Sequence, residues 1–157
     1  YGFNEFNYSS PQLLYLLSSH LPKLKRLKFF NYWVDIDFSS FDTLPAEAIP
    51  HFASLQYLSL EEMGTKRHDY AHSIHLARMF PVLKRIFFKQ YFSRCSDCRI
   101  NNPVHETFEN CARLIIRPWV QSLPMLCEAK VVYEIKRGYY NSSNKFIFDF
   151  SKNNFVD

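Results

Sequence analysis

The sequence predicts an α/β solenoid of stacked parallel strands with return helices, closed by C-terminal strands. Three observations predict it. A short apolar motif recurs along the chain, helix-length segments separate its copies, and two alternating segments run on from the end of the last copy.

The motif is LPKLKRLKFF at 21–30. It returns as FASLQYLSLE at 52–61, FPVLKRIFFK at 80–89 and LPMLCEAKVV at 123–132. Each copy reads apolar, Pro or Ala, one spacer, then Leu-x-x-apolar-x-apolar, anchored on Leu24, Leu55, Leu83 and Leu126. The last two apolar positions are two residues apart, so they share one face of a strand. One such strand cannot bury that face alone, whereas stacked copies make a continuous core. Parallel neighbours need a long return connection, usually a helix.

The connections fit that need. SPQLLYLLSSH, residues 10–20, has the apolar density of a buried helix, with Ser10 as N-cap and Pro11 at the first position. Residues 65–79 predict a second helix, with Thr65 as its cap, and residues 104–122 a third, interrupted by Pro118. Between 31 and 51 the chain is first aromatic and acidic. LPAEAIPHF then predicts a short helix bounded by prolines. The last anchor spacing is longer than the others by about 15 residues, which predicts an insertion around 91–118. KVVYEIK at 130–136 places Val131, Tyr133 and Ile135 on one side. NKFIFDFS at 144–151 does the same with Phe146, Phe148 and Phe150, across the turn-rich RGYYNSS.

Composition sets outer limits. The 157 residues suit one domain, and 47% apolar content is enough for a core. The first residue is Tyr1, and the chain is read as a fragment of a larger protein. The net charge of +4 is mildly basic and falls short of the footprint of a dedicated nucleic-acid binder. It suits a protein partner that is acidic or phosphorylated. No apolar run approaches the roughly 18 residues of a membrane span, so no membrane role is expected and the expected location is cytoplasmic or nuclear. Four cysteines in a chain this long are not a disulfide framework. The sequons at Asn7 and Asn141 are at the level of chance in an Asn- and Ser-rich chain.

With these residues in view, the sequence resembles the leucine-rich-repeat region of F-box proteins, of the long-repeat type in which each unit is a strand and a helix. The likeness covers most of residues 10–135, and the LPxLKxL phrase ahead of a strand, here LPKLKRL at 21–27, is common in such proteins. It departs from the family where Asn or Cys would tie neighbouring turns together. Tyr32, Met63, Tyr91 and Glu134 stand there instead. The resemblance implies a protein–protein interaction module that acts in substrate recognition within a ubiquitin ligase complex. It also implies ligase scaffold subunits as partners should an F-box lie upstream.

Strand alternation points Arg26, Lys28 and Phe30, then Tyr57, Ser59 and Glu61, then Arg85, Phe87 and Lys89, then Glu128, Lys130 and Val132 away from the core, on the concave side of the array. A strip rich in Arg, Lys and aromatics suits a partner-binding face. The alternative is a structural or nucleic-acid-associated subunit that touches phosphate through Lys23, Lys25, Arg26, Lys84 and Arg85.

Cys95, Cys98, His105 and Cys111 have ligand-type side chains that could close a zinc site in the insertion. Their spacing matches no standard finger, and the thiols are otherwise buried or reduced. His68, His72 and His75 would share a helix face but lack the glutamate of H-E-x-x-H. Asp35 and Asp37 are read as residues of a solvated loop, and Trp33 and Trp119 as core or interface anchors. No nucleophile elbow or phosphate-cradling glycine loop occurs, and with three glycines a nucleotide loop is hard to build. The expectation is a non-enzyme without cofactors.

Overall fold

A computed structural model describes residues 10–31, 38–63, 73–93, 105–136 and 143–151. The protein is α/β, built on a five-stranded sheet in the order β1-β2-β3-β4-β5. The strands are β1 (Arg26–Asn31), β2 (Tyr57–Met63), β3 (Arg85–Ser93), β4 (Glu128–Lys136) and β5 (Ser143–Ser151). The first four run parallel, and β5 returns antiparallel beside β4.

All four motif copies fold alike. In each, the anchoring leucine donates its amide to the carbonyl of the apolar residue three positions earlier: Leu24 to Leu21, Leu55 to Phe52, Leu83 to Phe80 and Leu126 to Leu123, at 3.1, 3.4, 3.3 and 3.2 Å. Proline or alanine follows that apolar residue, where the turn needs no amide donor. One carbonyl per turn then accepts two amides from the next copy. Lys25 takes Gln56 and Tyr57, Gln56 takes Lys84 and Arg85, and Lys84 takes Cys127 and Glu128, all between 2.9 and 3.1 Å. These forks link successive turns through the backbone, in a chain whose turns lack Asn side chains.

The forks put the copies in register. Leu27, Leu58, Ile86 and Ala129 lie side by side, followed two residues on by Phe29, Leu60, Phe88 and Val131. Phe150 and Phe148 of β5 extend the same two rows.

The core lies on this face. Helix α1 (Ser10–His20) precedes β1, two short 3-10 turns (Phe38–Thr43 and Ala46–Ala48) precede β2, α2 (Leu76–Met79) precedes β3, and α3 (His105–Ser122) precedes β4. Trp119 of α3 is a packing hub. Its ring meets Phe38 edge-on at 5.2 Å, Phe88 at 5.6 Å and Phe80 at 5.8 Å. Phe108 and Phe146 stack at 5.0 Å, and Tyr133 lies 4.8 Å from Phe108.

Several expectations change in detail. Helix α1 is described from Ser10, and the residues before it lie outside the described residues. That helix is only partly buried: Leu14 is covered, while Tyr15 and Leu16 are exposed. Helix α3 runs unbroken through Pro118. The lost hydrogen bond falls on the carbonyl of Leu114, one turn back on the solvent side, where the side chain is 63% exposed and water can reach the backbone. The connection before β2 reaches the core at Phe38 and Phe41, both buried. Asp35, Asp37 and Trp33 lie outside the described residues. The second helix is described only as Leu76–Met79, after a turn in which Asp42 accepts hydrogen bonds from Ser73 Oγ (2.6 Å) and the Ile74 amide (3.1 Å). Of the expected insertion, residues 91–93 belong to β3 and 105–118 to α3, and residues 94–104 lie outside the described residues.

Leu27 and Leu58 occupy matched positions but differ in burial, Leu58 being 1% exposed and Leu27 half-buried. Leu58→Ala is expected to cost about 2–5 kcal/mol in urea unfolding and Leu27→Ala clearly less. Equal losses would contradict the described core. Burial, with a smaller push from Cys111, raises the Tyr133 phenol above its ordinary value of 10.0. The fold therefore keeps a proton that the unfolded chain releases, and stability should fall as pH rises past 10.0. Tyr133→Phe should flatten that decline in denaturation curves taken between neutral and alkaline pH.

Candidate functional site

Among the described residues, the packed helices cover the leucine face of the sheet, and the opposite face carries the outward residues of every strand. Its rows follow from the register. Arg26, Tyr57, Arg85 and Glu128 form one. Lys28, Ser59, Phe87, Lys130 and Asp149 form the next, and Phe30, Glu61, Lys89, Val132 and Ile147 a third.

Four cations of this face, Lys28, Arg85, Lys89 and Lys130, are matched by carboxylates on the following strand. Lys28 Nζ meets Glu61 Oε1 at 2.8 Å and Lys89 Nζ meets Glu134 Oε2 at 3.0 Å, both diagonally across a strand pair. Arg85 Nε meets the directly opposite Glu128 at 2.9 Å, and Lys130 Nζ lies 3.7 Å from Asp149. The Tyr91 hydroxyl donates to Glu61 Oε2 at 3.2 Å, and the Lys89 ammonium sits 4.5 Å from the centre of the Tyr91 ring. Lys28, Glu61, Tyr91, Lys89 and Glu134 thus form one connected network from β1 to β4.

Burial decides which of these contacts matter. Arg85 and Glu128 are 62% and 60% exposed, so their pair contributes about 0.2–1 kcal/mol. Glu61 at 7% and Glu134 at 11% are desolvated and depend on their cationic partners. For Lys89, burial disfavours the charge, but hydrogen bonding and attraction to Tyr91 and Glu134 outweigh it and raise its pKa above 10.5. The stabilisation from that shift is present below 10.5 and is lost as pH rises through the higher folded value.

The outward residues expected from alternation therefore lie together on one face. Arg26 is exposed, with its guanidinium 4.9 Å from the Tyr57 ring centre. Phe30 stands at the register position beside Glu61. Ser59 is fully buried beneath its neighbours, and its Oγ makes no hydrogen bond among the described residues. Phe87 is half-buried. The face is less openly basic than the outward cations alone imply, because each of Lys28, Arg85, Lys89 and Lys130 has an acidic neighbour. Sequence reading missed Tyr91, Glu134 and Asp149 as members of the face, although continuing the same alternation past Lys89, past Val132 and along β5 would have found them. It also missed Ile147, which is 51% exposed beside Val132.

The expected metal ligands are only partly described. Cys111 is half-buried on α3, while Cys95, Cys98, His68 and His72 lie outside the described residues. His105 begins α3, and His75 precedes α2. No group of three potential metal ligands occurs among the described residues, and no helix there is long and apolar enough to cross a membrane.

No family model matches the chain, and no curated protein or solved structure matches it either.

Lys89→Met should lower stability by about 1–3 kcal/mol by removing the cation that faces the nearly buried Glu134 carboxylate. Adding Glu134→Leu should recover part of that loss, and a double-mutant cycle should give a coupling of at least about 0.5 kcal/mol. Zero coupling would mean that the network does not act as a unit.

Proposed function

We propose that this chain is a protein–protein interaction module, a leucine-rich-repeat-like solenoid that binds a partner protein across the outer face of its sheet. The observation that carries this reading is the one-sided packing of the sheet. The helices cover the leucine face, and a five-strand platform of paired charges and aromatic side chains faces outward. Register locked by the backbone makes that platform rigid, and rigid repeat surfaces suit binding. Its Arg and Tyr side chains are the types that anchor interfaces. Its cation–carboxylate pairs favour a partner with both charges and apolar anchors over a uniformly acidic one. The resemblance to F-box proteins makes substrate recognition in a ubiquitin ligase the specific form of the proposal, with positioning of a target as the mechanism.

The test replaces Tyr57 and Phe87 with alanine in the same molecule. Both project from the platform, and neither belongs to the charge network. Partners captured from a cell extract by the unaltered chain should be lost or bound more than about fivefold more weakly by the variant. Recovery of the same partners at the same level would remove the outer face from consideration. A nucleic-acid role predicts instead a steep fall in binding with salt, weakened by charge reversal at Lys23 and Lys25.

A further inference from the structure

Helix α1 turns apolar side chains in two directions. Leu14 and Leu17 pack into the core. Pro11, Tyr15 and Leu16 lie on a different face of the helix, where Tyr15 and Leu16 are 41% and 39% exposed. That second face is one wall of a groove of about 680 Å³, within the range of ligand-binding clefts. Leu44 and Ala48, at the 3-10 turn before β2, form the other wall, and the lining is mostly apolar. One charge stands in it. Glu47 is exposed and makes no ion pair among the described residues. In a chain of net charge +4, this groove offers an acid and no cation among the described residues that line it.

These features specify the occupant. The walls are a helix face and a 3-10 turn, and neither presents a strand edge for pairing. Side chains rather than backbone must therefore carry recognition, which suits a helix in a groove over an added strand. The half-exposed walls do not close over the cavity. A small molecule would keep one side in water, whereas an amphipathic helix covers the opening with its own polar face. A second copy of α1 is a poor fit, because Ser10–His20 contains no Lys or Arg to meet Glu47.

We propose that this groove binds an amphipathic helix of a partner protein, with apolar side chains seated between α1 and the 3-10 turn and a Lys or Arg at the border paired with Glu47. Burial against Tyr15, Leu16 and Leu44 supplies the affinity, and the single carboxylate supplies orientation and selectivity. The groove belongs to the helical layer. The inference does not rest on binding across the outer face of the sheet, and the two fail separately.

The experiment titrates the isotope-labelled full chain with a helix-stabilised peptide that carries leucine at every third or fourth position and lysine on its polar face. A counterpart has glutamate in place of lysine. The lysine peptide should shift the amide resonances of Tyr15, Leu16, Leu44 and Ala48 and bind more tightly than the glutamate peptide. Glu47→Lys, at an exposed position, should weaken the lysine peptide about fivefold and reverse the preference between the two. Leu16→Ala should weaken both peptides about fivefold. The proposal is overturned by no binding of the lysine peptide, by shifts that map elsewhere, or by a preference for lysine that survives Glu47→Lys. Phenethylamine binding as tightly as the peptide would also overturn it, in favour of a small-molecule site. Concentration-dependent self-association that shifts the same four amides would overturn it in favour of a second copy.

Discussion

The architecture depends on a backbone fork repeated at every step of the parallel sheet, in which one carbonyl accepts two consecutive amides from the next copy of the motif. The fork uses no side chain, so it tolerates the varied residues at its positions: Lys25, Gln56 and Lys84 supply its carbonyls. Its effect is to set register. A slip of one residue would turn Leu58, Leu60, Ile86 and Phe88 to the outer face and bring Glu61 and Lys89 into the core. Hydrophobic burial holds the layers together, but burial alone is not directional.

Once register is set, the two faces acquire opposite characters from the same strands. One row of leucines and phenylalanines meets Trp119 and the helices. The other becomes a charge network whose partners come from different strands. Glu61 is the clearest case. Its carboxylate is nearly buried, yet Lys28 from one side and the Tyr91 hydroxyl from the other supply the partners that burial demands. The outer face is therefore tied together laterally and can present itself to a partner without first becoming ordered, which lowers the cost of binding.

The two ends of the sheet show why closure matters. An antiparallel strand ends the rows at β5 with phenylalanines that pack on α3 and β4. The β1 end keeps the half-buried Leu27 and Phe29 beside the buried Leu58 and Leu60.

Much of the fold was legible because the motif carries its own geometry. The Leu-x-x-apolar-x-apolar spacing predicted the aligned row of Leu27, Leu58, Ile86 and Ala129, and the alternation in 130–136 and 144–151 predicted the closing pair. Local patterns also identified which residues leave the core. They did not reveal that Pro118 sits inside a continuous helix, with the exposed Leu114 one turn before it. Nor did they show that Phe38 and Phe41 enter the core, since no periodicity marks a 3-10 turn.

By itself, then, the amino-acid order determined the strands, their inward and outward residues and their parallel succession, since periodicity is a property of neighbours along the chain. The tertiary structure alone decided which charges neutralise one another, which helix faces stay exposed and how fully each end of the inner rows is covered. The reason is physical: ion pairing, burial and edge pairing depend on distances between residues far apart in sequence, and register across strands sets those distances.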